Sequence, residues 1–238
     1  LIKKIDEVLD MNLNSDALSL FLTFFSRALM LFLILPITNS VRGLVAKALG
    51  DDTAEIQGRI TLNPMAHLDL LGSLAIMLCG FGWSKPLPIN VNRMRDTRKG
   101  ILILSLTGPA TYYLLAIICM NISRIIFYTA GVGSSAAIAI YSIFSLLANI
   151  SICLGTIHLL PIPPMDGFNI LNHFAPPKFH SWYFRNYRQI NQYSTWILLA
   201  LFFMPRLTFG LFDPLGWLIS FVYWLLNLTT FWVPLVFG

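Results

Sequence analysis

Charge is scarce in this sequence. Asp, Glu, Lys and Arg make up 11% of its 238 residues, against 56% hydrophobic ones, whereas a soluble domain carries about 25% charged residues. A core of this size cannot hide so much apolar surface. A water-soluble monomer is therefore excluded, and the surplus must face lipid. Acids are scarcer still, 11 against 16 bases, for a formal net charge of +5. The bases cluster, which in so apolar a chain marks the side facing anionic headgroups and excludes nucleic acid as the partner. Cysteine is nearly absent. Cys79, Cys119 and Cys153 lie in apolar stretches with no CxxC spacing, which excludes a disulfide framework and thiolate metal ligation and leaves small packing residues. Internal repeats, low-complexity tracts and an appended soluble domain are also missing. Residues 1–16 mix acids and bases and do not read as a signal peptide. A start at Leu1 fits a trimmed, imported chain as well as a longer one.

What is present is a series of apolar runs. Residues 17–37 hold Arg27 as their only charge, and the helical pattern continues through Ala48 to a stop at Gly50-Asp51-Asp52. Residues 51–69 are polar and turn-rich. The run at 70–82 is shorter than the ~20 residues a span needs, which suits a half-span. A polar loop at 84–99 carries Lys85, Arg93, Arg95, Arg98 and Lys99 against the single acid Asp96. Residues 100–126 and 135–160 are long enough to cross, with the uncharged link 127–134 in their path. A shorter piece at 194–204 is broken at Pro205, and a Trp-rich run at 214–237 suits interface anchoring. The segment 176–192 reads as a second basic loop with Lys178, Arg185 and Arg188. Two spans separate it from 84–99, so both loops lie on one side, cytoplasmic or its organellar equivalent.

One segment carries chemistry. In His158-Leu159-Leu160-Pro161-Ile162-Pro163-Pro164-Met165-Asp166-Gly167, three prolines within four residues cannot continue the preceding helix. The chain must leave helix at membrane depth, where protein or a cavity satisfies its backbone. An acid there needs a partner: another charge, a metal or a proton. A plain loop with Asp166 capping the next helix is the simpler alternative.

This segment resembles the PIPPLDG motif of the site-2 proteases, intramembrane zinc metalloproteases. The run Gly50-Asp51-Asp52-Thr53-Ala54 is similar to that family's GDxTA. The stretch from Gly58-Arg59-Ile60-Thr61 through Leu62-Asn63-Pro64 to His67 and Asp69 is similar to GRLTLNPxxHxD. Gly82-Trp83-Ser84-Lys85-Pro86-Leu87-Pro88-Ile89-Asn90 resembles GWAKPVPVN, and Gly108-Pro109-Ala110 falls at an AGP-type turn. The motifs keep their order from about residue 30 to 175; beyond residue 190 no motif is recognised. The resemblance implies an all-α polytopic membrane protein with a core of about five to six membrane helices. A short non-helical or β-hairpin insertion follows the first long helix. It also implies three parts: an extramembrane segment at 1–16, a site-2 protease-like core at 17–190, and C-terminal membrane helices at 191–238.

The family's catalytic signature is HExxH. Histidines at i and i+4 share a helix face and bind one zinc, the Glu activates the metal-bound water, and the Asp of PPLDG is the third ligand. The matching window here is Thr38-Asn39-Ser40-Val41-Arg42, and the four histidines His67, His158, His173 and His180 contain no HExxH pair. Thr38 and Arg42 stand at the histidine positions, Asn39 at the Glu, and His158 at an Asn of the second motif; Asp166 remains. Thr38 is a poor zinc ligand, Arg42 repels a cation, and an amide at Asn39 accepts no proton near neutral pH. The expectation is a centre without zinc or any other cofactor and without hydrolysis.

Arg42 would fill the vacated space. A buried carboxylate robbed of its partner costs ~3–5 kcal/mol, and an unpaired Arg in a bilayer costs ~2.5 kcal/mol or more. An Arg42–Asp166 ion pair solves both, with Thr38 or Asn39 as its hydrogen-bonding neighbour. The alternatives are Arg42 snorkelling toward Lys47 and an improvised metal site at His158 and Asp166. By resemblance, Asn63, His67, Asn90 and His158 line a possible substrate cleft. Three functions follow: an inactive structural subunit of a larger membrane complex, a pseudoprotease that binds transmembrane client helices, or an active peptidase with unconventional ligands. A transporter is disfavoured, having neither a repeated half nor a second intramembrane acid. The partners implied are the lipid bilayer and other membrane subunits, and the setting is a bacterial or organellar inner membrane.

Overall fold

The computed structural model describes residues 16–79, 82–130 and 135–237. The extramembrane segment expected at 1–16 lies outside the described residues apart from Asp16, as do residues 131–134 of the uncharged link and the side chain of Cys79.

The first apolar run and its continuation form one long helical rod. Helix α1 (Asp16–Leu29) passes through a wider π-helical turn at Met30–Ile34 into α2 (Leu35–Ala48). Pro36 accounts for the turn. It has no N–H to donate, and the ladder shifts so that the Leu35 amide reaches back to the Met30 carbonyl. The rod ends where the sequence reading placed the stop. Gly50 adopts φ +108°, and the Gly50 and Asp51 amides donate to Lys47 and Ala46.

Helices α3 (Thr53–Ile56) and α4 (Leu70–Cys79) follow. Asp69 caps α4 by accepting from the Gly72 amide. At ten residues α4 is the half-span its length implied. Its C-terminal carbonyls are taken by Arg27, the lone charge of the first run: Nη1 lies 2.7 Å from the Met77 carbonyl and 3.0 Å from that of Leu78. A guanidinium in an apolar run and a helix end facing lipid satisfy one another.

Helices α5 (Thr97–Ala130) and α6 (Ser135–His158) form the central antiparallel pair. Met30, Leu31, Ile34 and Leu35 of the rod pack against Tyr112, Ala116, Cys119 and Met120 of α5 and Leu147, Ala148 and Ile152 of α6. Lipid is as apolar as leucine, so close packing holds these helices together, and Ala116, Ala148, Ser151 and Gly155 let the backbones approach. The Gly108-Pro109-Ala110 turn is corrected: all three residues lie inside α5. One missing N–H is tolerated in a membrane helix whose neighbours re-satisfy the backbone.

After the proline segment come α7 (Asp166–Phe174) and α8 (Pro177–Leu207). Here too the sequence reading is corrected. Residues 176–192 are not a loop, and 194–204 is not a separate piece. With Pro177 in its first turn, α8 runs unbroken for 31 residues, across the 190/191 division, and Pro205 costs one bond near its end. The chain closes with α9 (Pro214–Asn227), capped by Asp213, a 3-10 turn at Leu228–Thr230, and α10 (Val233–Phe237). Arg124 of α5 ties α9 down through Asn227 Oδ1 at 2.8 Å.

Among the described residues, four helical segments are long and apolar enough to cross a membrane: Leu20–Ala48, Thr97–Ala130, Ser135–His158 and Pro214–Phe237. The expected five to six are reached only by adding α4 and α8. The insertion at 51–96 contains no strand among the described residues but holds α3, α4 and two 3-10 turns, so both the non-helical and the hairpin expectation are corrected: it is a string of short helical pieces. Asp51 pins it. This fully buried carboxylate accepts from the Thr53 amide and hydroxyl and from the Asn90 amide at 2.7 Å, while Arg95 N donates to the Leu49 carbonyl.

Burial pushes the Asp51 carboxyl up, but the bonds from the Thr53 hydroxyl and the Asn90 and Thr53 amides, helped by the Arg93 charge, outweigh it and hold the group below its ordinary value. A carboxyl held low contributes stability that is full above its unfolded value and is lost as pH falls through its folded one. The protection of amides at residues 90–95, taken relative to their intrinsic exchange rates at each pH, should therefore fall as pH drops below the ordinary carboxylate range. Asp51→Asn should lower it at neutral pH while α5 and α6 stay protected. Unchanged exchange in the variant would show that the latch lies elsewhere.

Candidate functional site

Four elements converge in the middle of the fold. Helix α2 supplies Thr38, Asn39 and Arg42, α5 supplies Gly108 and Tyr112, α6 ends on His158, and α7 begins with Asp166. The proline segment makes the convergence possible by taking the chain out of α6 and returning it with Met165 extended, so that Asp166 opens the next helix.

Asp166 does not cap that helix. Arg42 Nη2 lies 3.1 Å from Asp166 Oδ1, and His158 Nδ1 lies 2.9 Å from Oδ2. One carboxylate thus serves a guanidinium and an imidazole. The Asp166 side chain is 8% exposed and that of Arg42 17%, so the pair is shielded from most solvent, whereas His158 at 30% keeps one edge open. The first turn of α7 adds the positive end of its dipole to the carboxylate's surroundings. The His158 ring also rests on Tyr112, with centroids 5.5 Å apart.

Gly108 makes room for this centre. A Cβ at that position would lie 3.3 Å from Arg42 Nη1 and 3.4 Å from Asp166 Oδ2. The pair therefore nests against the backbone of α5, a role that sequence reading missed because a glycine beside a proline reads first as a turn.

The expected neighbours of the pair are corrected. Thr38 Oγ1 donates to the Ile34 carbonyl one turn back, as a helical threonine readily does. Asn39 is engaged elsewhere: its Nδ2 donates to Ser84 Oγ at 2.9 Å. His158 takes the place assigned to them. Its signal was the exchange of an amide for an imidazole beside a lone acid. Arg42 does not reach toward Lys47, which pairs with Glu55 at 2.7 Å.

The residues of the suggested cleft each make local contacts. Asn63 caps the 3-10 turn at Pro64–Ala66 and Asn90 caps the one at Val91–Arg93, both exposed. His67 is sealed inside the insertion, with Nε2 2.7 Å from the Thr61 carbonyl and its own carbonyl accepting from Lys85 N. Burial, with the Arg59 charge, outweighs that hydrogen bond and holds its imidazole below the ordinary value, so it stays neutral. Only His158 of the four lies at the centre.

The donor set does not fit zinc. A zinc site needs neutral or anionic N, S or O ligands converging on one point. Here the position facing Asp166 is held by a cation with its Nε buried and unpartnered, and the Thr38 hydroxyl is turned to the backbone. Among the described residues, no group of three His, Cys, Asp or Glu is placed to hold a metal ion.

The pair can be weighed by a double-mutant cycle. Arg42→Ala or Asp166→Ala alone leaves a shielded charge uncompensated and should cost ~3–5 kcal/mol of unfolding free energy in detergent. The double variant should cost far less than the sum. Additive losses would mean that the two side chains do not interact.

The chain matches peptidase family M50 over residues 113–202. It is 33% identical over 174 residues to "Putative zinc metalloprotease YwhC" of Bacillus subtilis, covering 72% of this chain and 77% of that relative. It is 28% identical over 188 residues to "Putative zinc metalloprotease Rip2" of Mycobacterium tuberculosis, covering 76% of this chain and 64% of the relative. Rip2 of Mycolicibacterium smegmatis is 26% identical over 178 residues. No solved structure matches. The motif order, the helical architecture and an identity of this size over most of a curated relative lead to one assignment: the chain belongs to peptidase family M50, the site-2 proteases.

Proposed function

We propose that this chain is an M50-family membrane protein that neither binds zinc nor hydrolyses peptides and that serves as a structural subunit of a larger membrane assembly. The observation that carries the reading is the Arg42 guanidinium 3.1 Å from Asp166, at residues that the sequence reading aligns with the family's metal-binding motifs. A cation in that place competes with a metal for the same carboxylate. The general base is also missing, since Asn39 is an amide bonded to Ser84.

The subunit role is favoured over the binding of client helices by where polar and apolar surface lies. Asn63, His67 and Asn90 are engaged in hydrogen bonds within the insertion's own turns. The last span, by contrast, has 11% of its apolar window buried inside the chain, against 39% to 44% for the other three. It turns Trp217, Phe221 and Trp224 outward, surface that suits a neighbouring subunit. Co-purification at fixed stoichiometry supports a subunit; transient, substoichiometric helices would favour the client reading.

Metal analysis tests the centre directly. The chain purified without chelator should carry zinc far below one equivalent. A full equivalent, with chelator-sensitive peptide cleavage, would overturn the reading in favour of an active peptidase. The converse substitution tests the register. Thr38→His, Asn39→Glu and Arg42→His together restore HExxH opposite Asp166, and the triple variant should gain close to one zinc per chain, lost again on adding Asp166→Ala. A variant that folds but takes up no zinc would show that the window is misassigned.

A further inference from the structure

Eight of the fourteen bases among the described residues end on a partner. Arg42, Lys47, Arg93 and Lys99 face carboxylates, and Arg27, Arg59, Arg98 and Arg124 donate to carbonyl oxygens of the backbone or of Asn227. Lys178, Arg185 and Arg188 do not. They stand exposed on the first half of α8, a helix with no Asp or Glu along its whole length.

Their spacing is regular. Lys178, Trp182, Arg185 and Arg188 follow one another at steps of four, three and three residues, which lines them along one side of a helix. Trp182 is 52% exposed in the middle of the row. The opposite side is anchored, because Phe179 and Tyr183 pack on Phe168 of α7 with ring centroids 6.5 and 4.8 Å away. The row therefore points out from the protein. Phe184 and Tyr193 also stand exposed on this helix.

Two observations fix its depth. Arg98 Nη2 donates to the His173 carbonyl and His173 Nδ1 to the Arg98 carbonyl, at 2.8 and 3.2 Å, so α7 ends level with the basic start of α5. Helix α8 starts from that level, and its later residues Leu198, Leu201 and Phe202 pack with Ile157, Leu160 and Leu215 among the membrane helices. The basic half must lie between water and hydrocarbon, where aromatic rings and cationic heads both settle.

We infer that the Lys178–Trp182–Arg185–Arg188 row of α8 is a binding site for the headgroups of acidic phospholipids in the surrounding leaflet. Unneutralised guanidinium and ammonium groups at this depth meet lipid phosphates first, and the lack of a compensating cation on the headgroup distinguishes acidic from zwitterionic lipid. The site lies apart from the Arg42–Asp166 centre and does not depend on whether that centre binds zinc.

The test is native mass spectrometry of the full chain released from bilayers of equal phosphatidylglycerol and phosphatidylcholine. The wild type should retain phosphatidylglycerol over phosphatidylcholine by about threefold or more. Lys178→Gln, Arg185→Gln and Arg188→Gln together should bring retention to the bulk ratio. A control removing the same charge from other exposed, unpaired bases (Lys85→Gln, Arg95→Gln, Arg206→Gln) should keep the enrichment. Size-exclusion profiles matching wild type establish that both variants are folded. Equal retention of the two lipids by the wild type, as expected if a soluble acidic partner or nothing covers the row, would overturn the inference. So would an identical loss in both variants, which would reduce the effect to net charge.

Discussion

The structure turns on one carboxylate shared between two bases. Asp166 accepts from Arg42 on one oxygen and from His158 on the other, and those contacts join α2, α6 and α7 across a notch in α5. In a low-dielectric interior neither charge is tolerable alone, and together they still need shape around them. Gly108 provides the shape, the proline segment provides the turn that aims Asp166, and the Met30–Leu35 packing holds α2 at the height where Arg42 meets it. The helical frame and the polar centre are thus parts of one arrangement.

The same economy recurs away from the centre. Two bases sent into apolar surroundings are each met by an oxygen: Arg27 closes the end of α4, and Arg124 reaches Asn227 under α9. Polar groups of the insertion are treated likewise. Asn63, Asp69 and Asn90 cap turns or helices, and Asp51 gathers three donors. Motif residues that look like candidates for chemistry are here used to shape the insertion.

Much of this was legible before any coordinates. The stop at Gly50, the short α4 and the break after His158 follow from glycine, length and proline, each of which acts locally. Arg42 and Asp166 invite pairing because each is costly alone, and they stand 3.1 Å apart. What local signals miss is direction. Nothing at Thr38 or Asn39 tells which way each side chain turns, and one bonds backward along its helix while the other faces Ser84. The unity of α8 was hidden for a related reason. Its polar first half and apolar second half look like different elements, although one unbroken backbone ladder carries both. Gly108-Pro109 reads as a turn in isolation and as helix only once neighbouring helices support it.

The span of the central contact bears on how the protein is made. Arg42 and Asp166 are separated by 124 positions. The rod carrying the guanidinium leaves the ribosome and enters the membrane while its carboxylate is still unsynthesised, with two further long helices to be threaded in between. Until then Arg42 must borrow a phosphate, a water file or the insertion machinery itself. Translation of α7 is the moment at which the nascent chain can release that substitute and close on its own partner.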